Sequence, residues 1–421
     1  MEKLIIRGST ALQGAVTVSG SKNASLPILA AALLTDDLCV LEGVPNLRDV
    51  TTMIRILRNM GLKISHEGHR VNIDPNGYRG MEAPYRLVST MRASFCVLGP
   101  LIARHHQAKV SLPGGCVIGP RPVDLHLKGL KALGASLKIE GGYVLAKTRE
   151  LRGNTIYLGG AFGSSVLGTA NVLMAACLAR GRTIIENAAC EPELVDLAHV
   201  LIKMGAKVSG QGTPVITVEG VRSLNGFTHR VIPDRIEAGT LLLAAAVTGS
   251  TVTLRGARPE HLGAVLDKLK EVGIDVSSRD GALLVRPKRR LKPVDVTTLP
   301  YPGFPTDMQA QMMALLAQTQ GISVITEKIY PDRFMHVAEL GRMGARIKLE
   351  GASAIVQGVS RLSGAPVMAS DLRASAALVL AAMAAKGESE VARIYHLDRG
   401  YDRIDEKLVK LGARIRREKL E

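Results

Sequence analysis

One phrase recurs six times along the 421 residues: GLKIS at 61–65, GASLKI at 134–139, GAKVSG at 205–210, GIDVSS at 273–278, GARIKL at 344–349 and GARIRR at 412–417. The leading glycines are Gly61, Gly134, Gly205, Gly273, Gly344 and Gly412, separated by 73, 71, 68, 71 and 68 residues. A fixed period near 70 marks a repeated supersecondary unit. Each glycine closes a segment of helical periodicity, such as VTTMIRILRNM before Gly61 or LGAVLDKLKEV before Gly273. A glycine just past the last apolar position is the usual helix stop, because that residue needs a left-handed backbone. Alternating stretches with a turn follow, as in SLKIEGGYVLA and RIKLEGASAIVQG, and read as hairpins.

Every unit also carries a second, more apolar helix: NASLPILAAALL (23–34), MRASFCVLGPLIAR (91–104), GTANVLMAACLA (168–179), IEAGTLLLAAAV (236–247), DMQAQMMALLAQ (307–318) and DLRASAALVLAAMAA (371–385). These are apolar nearly all round, so they predict helices enclosed on every side. Short strands follow them, such as CVLEG, RTIIEN and TVTLRG. The unit therefore reads β-α-β-α-β-β, six times over, an α/β chain. Six such units exceed one core, so three per domain is the natural division. The segment from LIIRG to TVSGS precedes the first apolar helix without a hairpin partner nearby, and is expected to join the C-terminal half. The predicted lobes are 21–229 and 1–20 plus 230–421, with crossings near 20–22 and 228–232 and a ligand site between them.

Composition narrows the function. Aromatic content is 3% with no Trp, so the cores must be aliphatic, with 14 Met as filler. Five cysteines and no C-x-x-C pair argue against a disulfide framework or a structural zinc site. No HExxH or comparable metal cluster is present, and no metal or cofactor is expected. The start MEKLIIRGST lacks a long apolar h-region, and no apolar run reaches membrane-spanning length. A reducing cytoplasm is the expected location. Net charge is +16, which suits either nucleic acid or small anionic substrates. The basic residues are scattered, with no block longer than KRR at 288–290, and aromatics are too few for stacking platforms, so anionic substrates are favoured.

The starts of the apolar helices sharpen this. SKNAS (21–25), STMRAS (89–94), PDRIEAG (233–239) and SDLRAS (370–375) place Lys22, Arg92, Arg235 and Arg373 where the helix dipole disfavours a cation. With 54 basic residues some will fall there by chance, but the recurrence points to bound anions. Arg333, Arg399 and Arg403 flank later loops, and planar guanidiniums suit carboxylate and phosphate. Finally, SLPGGCVIGPRP (111–122) puts Cys116 in a Gly- and Pro-rich segment with little core to pack into, where a chemical role outweighs packing. For Cys39, Cys96, Cys177 and Cys190, read as lying on apolar helices or strands, packing is the better reading.

SGSKNASLP (19–27), LPGGCVIGPRPVDLH (112–126), TIIENAACEPE (183–193), FPTDMQAQ (304–311), RFMHVAEL (333–340), DLRASAALVL (371–380) and IYHLDRGYDRI (394–404) closely resemble the enolpyruvyl transferases that act on UDP-N-acetylglucosamine, and the match runs end to end. The resemblance implies a two-lobed inside-out α/β barrel of six βαβαββ repeats, three per domain. It implies transfer of the enolpyruvyl group of phosphoenolpyruvate to the 3′-hydroxyl of UDP-N-acetylglucosamine by addition and elimination, the first committed step of peptidoglycan synthesis. It makes Cys116 the proton donor on a mobile loop at 111–122, and Asp307 the base that takes the hydroxyl proton. Lys22, Arg121 and Arg399 would hold the phosphate, and Arg333, Arg373 and Arg399 the carboxylate. Asn23, Asp307 and the backbone at Ile329 would meet the sugar nucleotide, with Arg92, the run Arg121, Pro122, Val123, Asp124 and Leu125, and Ser165 and Val166 on the nucleotide side. One departure stands out: the family's S-V-G-A-T segment here reads SSVLGTA (164–170), with Leu167 in place of glycine. The sister reading is a transferase acting on shikimate 3-phosphate, against which the cysteine loop argues.

Overall fold

The computed structural model describes residues 2–114, 123–161, 163–288 and 290–419. Cys116, Arg121 and Pro122 lie outside the described residues. The chain forms two compact units, one of residues 20–114 and 123–232, the other of residues 2–19 and 233–419.

Each unit holds three four-stranded sheets of one design. In the first sheet Phe227–Arg230 runs parallel to Cys39–Glu42, which pairs antiparallel with Arg70–Asp74, itself antiparallel to Lys63–Glu67. The parallel–antiparallel–antiparallel order recurs in the other five. The repeat is closed by strand exchange rather than by simple sequence order. The first sheet takes its leading strand from Phe227–Arg230, at the far end of the same unit. The fourth takes it from Ala15–Thr17, parallel to Val252–Arg255. The sixth repeat ends one strand short, and Glu2–Arg7 fills the gap between Glu388–Ala392 and Arg414–Lys419. The N-terminal segment is thus two strands in two sheets rather than one. An unfilled slot would expose two rows of backbone donors and acceptors, and Leu4 and Ile6 in it are fully buried.

The six leading glycines all have positive φ, from 90° at Gly344 to 105° at Gly61, as the helix-stop reading requires. The hairpins after them carry one apolar face, so Val71 and Ile73 are buried while their neighbours are not. These faces lie on the Ala-rich helices Lys22–Ala31, Leu98–His105, Val166–Ala176, Arg235–Val247, Gln309–Leu316 and Leu372–Ala384. Each unit has its own apolar cluster around three of them, with sheets outside and helices inside. Small residues permit the close approach. At Gly99 an added Cβ would lie 2.2 Å from the Asn171 carbonyl oxygen.

Two predicted helices differ. MRASFCVLGPLIAR is a 3₁₀ segment, Arg92–Val97, followed by a short α-helix, Leu98–His105. DMQAQMMALLAQ likewise starts as 3₁₀ over Thr306–Met308 before the α-helix Gln309–Leu316.

Candidate active site

The C-terminal unit gathers a carboxylate between two guanidiniums. Asp307 sits on the 3₁₀ turn, Arg333 after the turn that follows strand Ile322–Glu327, and Arg373 in the first turn of helix Leu372–Ala384. Arg333 Nη1 donates to Asp307 Oδ1 at 2.8 Å, while Arg373 donates to Oδ2 through Nε at 3.2 Å and Nη2 at 3.0 Å. The arginine side chains are 5% and 1% exposed and the aspartate 29%, so the carboxylate is the member that meets solvent. Asp371 caps the Arg373 helix, accepting from the N–H groups of Arg373 and Ala374 at 2.7 and 3.1 Å. Burial works against the charge of both arginines. Asp307 and Asp371 outweigh it at Arg333, and Tyr401, Asp307 and Asp234 at Arg373, so both pKa values are raised. Behind Arg373 the Tyr401 ring lies 5.0 Å from the guanidinium carbon, and its hydroxyl is held by Thr240 and Gln311, both at 3.0 Å. Glu327, Thr306, Tyr401 and Gln311 went unseen in the sequence. Thr306 and Gln311 lie within the quoted FPTDMQAQ run and Tyr401 within RGYDRI, whereas Glu327 lies in none of the quoted runs.

Arg399 ends the 3₁₀ segment Ile394–Arg399 in the same unit and is half-buried. Ile329 donates its N–H to Glu327 Oε1 at 2.9 Å, so any backbone contact with a ligand falls to its carbonyl. Arg235, singled out as a helix-start cation, lies over the Tyr301 ring at 5.4 Å.

In the N-terminal unit Ser21 caps helix Lys22–Ala31 by accepting from Ala24 N at 3.3 Å. Lys22 follows it, buried, with Nζ 3.4 Å from Asp49 Oδ2, and Asn23 beside it is half-buried. Asp49 was not anticipated, and it offsets the desolvation of a buried ammonium. Val123, Asp124 and Leu125 open helix Asp124–Ala132. Leu125 faces Gly160 and Gly168, so the expected nucleotide-side residues 123–125 and 165–166 are neighbours. Ser165 caps helix Val166–Ala176, its Oγ accepting from Gly168 N at 3.1 Å. The divergent Leu167 is half-buried and packs on the core.

Behind Arg92 lies a closed polar network. Asn171 accepts from Gly99 N at 2.8 Å and donates to Phe95 O at 2.9 Å and to His126 Nδ1 at 2.8 Å. An amide nitrogen only donates, so Nδ1 accepts and the ring proton is on Nε2. Burial, reinforced by Arg92, lowers the His126 pKa to about 3. Burial also lowers His336, in the other unit, to about 4, with Arg333 reinforcing and Asp371 opposing. Unfolded histidine takes its proton near pH 6.5. A depressed folded pKa therefore gives stability that is complete above pH ~6.5 and lost as pH falls toward 4 and then 3, by at most about 1.4 kcal/mol per pH unit per histidine. The urea midpoint is expected to drop between about pH 7.5 and 5, and to drop less in His126→Gln. An identical slope in that variant would remove His126 from the explanation.

Three of the four minor cysteines, Cys39, Cys96 and Cys177, are buried, and burial pushes each thiol up to about 12. Cys190 departs from expectation. It lies in the loop before helix Pro192–Lys203 and is half-buried. Among the described residues no helix is long and apolar enough to cross a membrane, and no cluster of His, Cys, Asp and Glu fit for a metal occurs.

Sheets outside, apolar helices inside and buried cations at helix starts suit an enzyme of small anionic substrates, and comparison resolves the family. Residues 6–408 match the family model described as EPSP synthase (3-phosphoshikimate 1-carboxyvinyltransferase). The chain is 53% identical over 422 residues to the UDP-N-acetylglucosamine 1-carboxyvinyltransferase of Myxococcus xanthus, covering all of both chains. It is 54% identical over 417 residues to that of Methylacidiphilum infernorum, with 99% of each covered. Among solved structures, the enolpyruvyl transferase NikO from Streptomyces tendae superposes with a TM-score of 0.90 at 26% identity, over 99% of this chain and 98% of that one. EPSP synthase from Acinetobacter baumannii does so at 0.74 and 20% identity, over 99% and 100%, a likeness of fold. The chain belongs to the enolpyruvyl transferase family, the 1-carboxyvinyltransferases, and is a transferase.

Proposed function

We propose that the chain transfers the enolpyruvyl group of phosphoenolpyruvate to the 3′-hydroxyl of UDP-N-acetylglucosamine, with release of phosphate, in the cytoplasmic opening of peptidoglycan synthesis. The observation that carries this is full-length identity of 52–54% to relatives of that named activity, against 20% to the EPSP synthases. The geometry supports it. Arg333 and Arg373 offer a planar carboxylate the kind of forked donors they now give Asp307. A substrate carboxylate competing for them would release Asp307 lone pairs to accept the hydroxyl proton.

Arg399 joins the carboxylate end, while Lys22, Arg121 and Arg399 take the phosphate. Asn23 and Ile329 position the sugar. Arg92, Arg121 to Leu125, Ser165 and Val166 serve the nucleotide. Cys116 protonates C3 of the enol as the sugar oxygen, giving its proton to Asp307, attacks C2; the tetrahedral ketal then loses a proton from C3 as phosphate leaves C2, which restores the double bond. A phosphate-release assay decides between acceptors. Turnover is expected with UDP-N-acetylglucosamine and at least 100-fold slower with shikimate 3-phosphate, on the scale set by a missing buried hydrogen-bond partner. The reverse preference would hand the chain to the sister reaction.

A further inference from the structure

Glu327 is fully buried and accepts four hydrogen bonds. Its Oε1 receives the Thr298 hydroxyl at 2.6 Å and the N–H groups of Ile329 and Tyr330 at 2.9 and 3.0 Å, and its Oε2 receives the Thr306 hydroxyl at 2.9 Å. Thr306 Oγ1 is also 3.0 Å from Arg333 Nη1. Guanidinium only donates, so the threonine oxygen accepts from Arg333 and its own proton must point to Glu327. The same Nη1 donates to Asp307 Oδ1 at 2.8 Å. The bonds form a directed chain, from Arg333 through Thr306 to Glu327, beside the carboxylate to be positioned. At the other end, Thr298 is oriented in the same way, because it accepts from Lys328 N at 3.0 Å and donates to Glu327. One carboxylate thus locks the loop at 328–330 and the turn that presents Asp307.

We propose that Glu327 is a positioning residue for the transfer, acting through the Thr306 hydroxyl to fix the Arg333 guanidinium against Asp307. The proposal rests on the reading of Asp307 as the proton acceptor, and it adds what holds that acceptor in register.

A glutamine distinguishes this from simple structural support. Glu327→Gln can keep its amide oxygen toward the three donors at Thr298, Ile329 and Tyr330, preserving the loop. Its Nε2 then faces Thr306 as a donor, so the hydroxyl proton must turn away and the directed chain from Arg333 onto a charged acceptor is cut. Thr306→Val cuts the same chain at its middle, and Thr306→Ser leaves it whole. We expect kcat to fall about 10- to 100-fold in Glu327→Gln and in Thr306→Val, the range of small misplacements of reacting groups. KM for both substrates should stay within about threefold, and Thr306→Ser should keep near-native kcat, as expected when only transition-state positioning is lost. The double variant should be no slower than the slower single, because both act on one chain. Multiplying losses, a change confined to KM, or unaltered kcat would overturn the proposal. If Glu327→Gln does not fold, the Thr306 pair carries the test. Arginine-selective ¹⁵N NMR without substrate, with Arg333 assigned by its loss in Arg333→Lys, reads the guanidinium independently of turnover. Its resonance should broaden in both cut variants, and an unchanged resonance would count against the chain. An inactive wild type would sink the proposed reaction alone, leaving this spectrum to decide Glu327.

Discussion

Asp307→Ala is expected to lose both activity and stability. Removing a general base costs about 10²- to 10⁴-fold in rate. The stability loss has a separate origin. Arg333 and Arg373 are all but fully buried, and both spend donors on this one carboxylate. Without it, two guanidiniums confront each other with unpaired N–H groups in a low dielectric. Breaking a buried pair typically costs 3–5 kcal/mol, and the partial exposure of Asp307 places this case near about 3. Asp307→Asn separates the effects. The amide keeps the volume and one acceptor, so it should recover part of the stability while remaining as slow as alanine. Phosphoenolpyruvate should raise the melting temperature of Asp307→Ala more than that of wild type, because the bound anion supplies the missing charge. Fast turnover by Asp307→Asn would remove the base from the mechanism. A melting temperature of Asp307→Ala equal to wild type would show that the arginines find other partners.

The fold was legible where the signal was local and repeated. Six glycines at one spacing each needed a left-handed backbone, and each has one. All-round apolar helices could only be interior. What stayed hidden was closure. Nothing in EKLIIR states that it fills the third position of the last sheet, because pairing over nearly 400 residues is decided by which slot is vacant, not by the strand itself. The candidate site divides the same way. Arg373 and Lys22 were visible as cations in the wrong place for a helix dipole. Asp49 and Glu327 were not, because a buried acid is informative only once its donors are known. Glu327 reads in sequence as a strand-end carboxylate, and its four donors come from residues as far away as Thr298. The 3₁₀ starts at Arg92 and Thr306 escaped for a related reason, since periodicity over so few residues does not separate 3₁₀ from α.

Cys116→Ala should reduce turnover by about 10²- to 10⁴-fold, the usual weight of a general acid, whereas Cys116→Asp should keep it. Either side chain at that position has a different fraction of acid form. A free thiol with a reference pKa of about 8.5 is mostly protonated at neutral pH, while a carboxyl near 3.9 is mostly not. The aspartate variant should therefore work best at a pH well below the wild-type optimum. Alkylation supplies the second reading. The epoxide fosfomycin needs an accessible thiol that can form thiolate. Cys39, Cys96 and Cys177 are enclosed with pKa values near 12, and Cys190 is raised by burial and by Glu191. One adduct on Cys116 is expected in wild type by peptide mass spectrometry, and none in Cys116→Asp, which should turn over undisturbed by the epoxide. Equal activity of the alanine and aspartate variants would show that the proton comes from elsewhere. An adduct on Cys190 would show that exposure there outweighs its raised pKa.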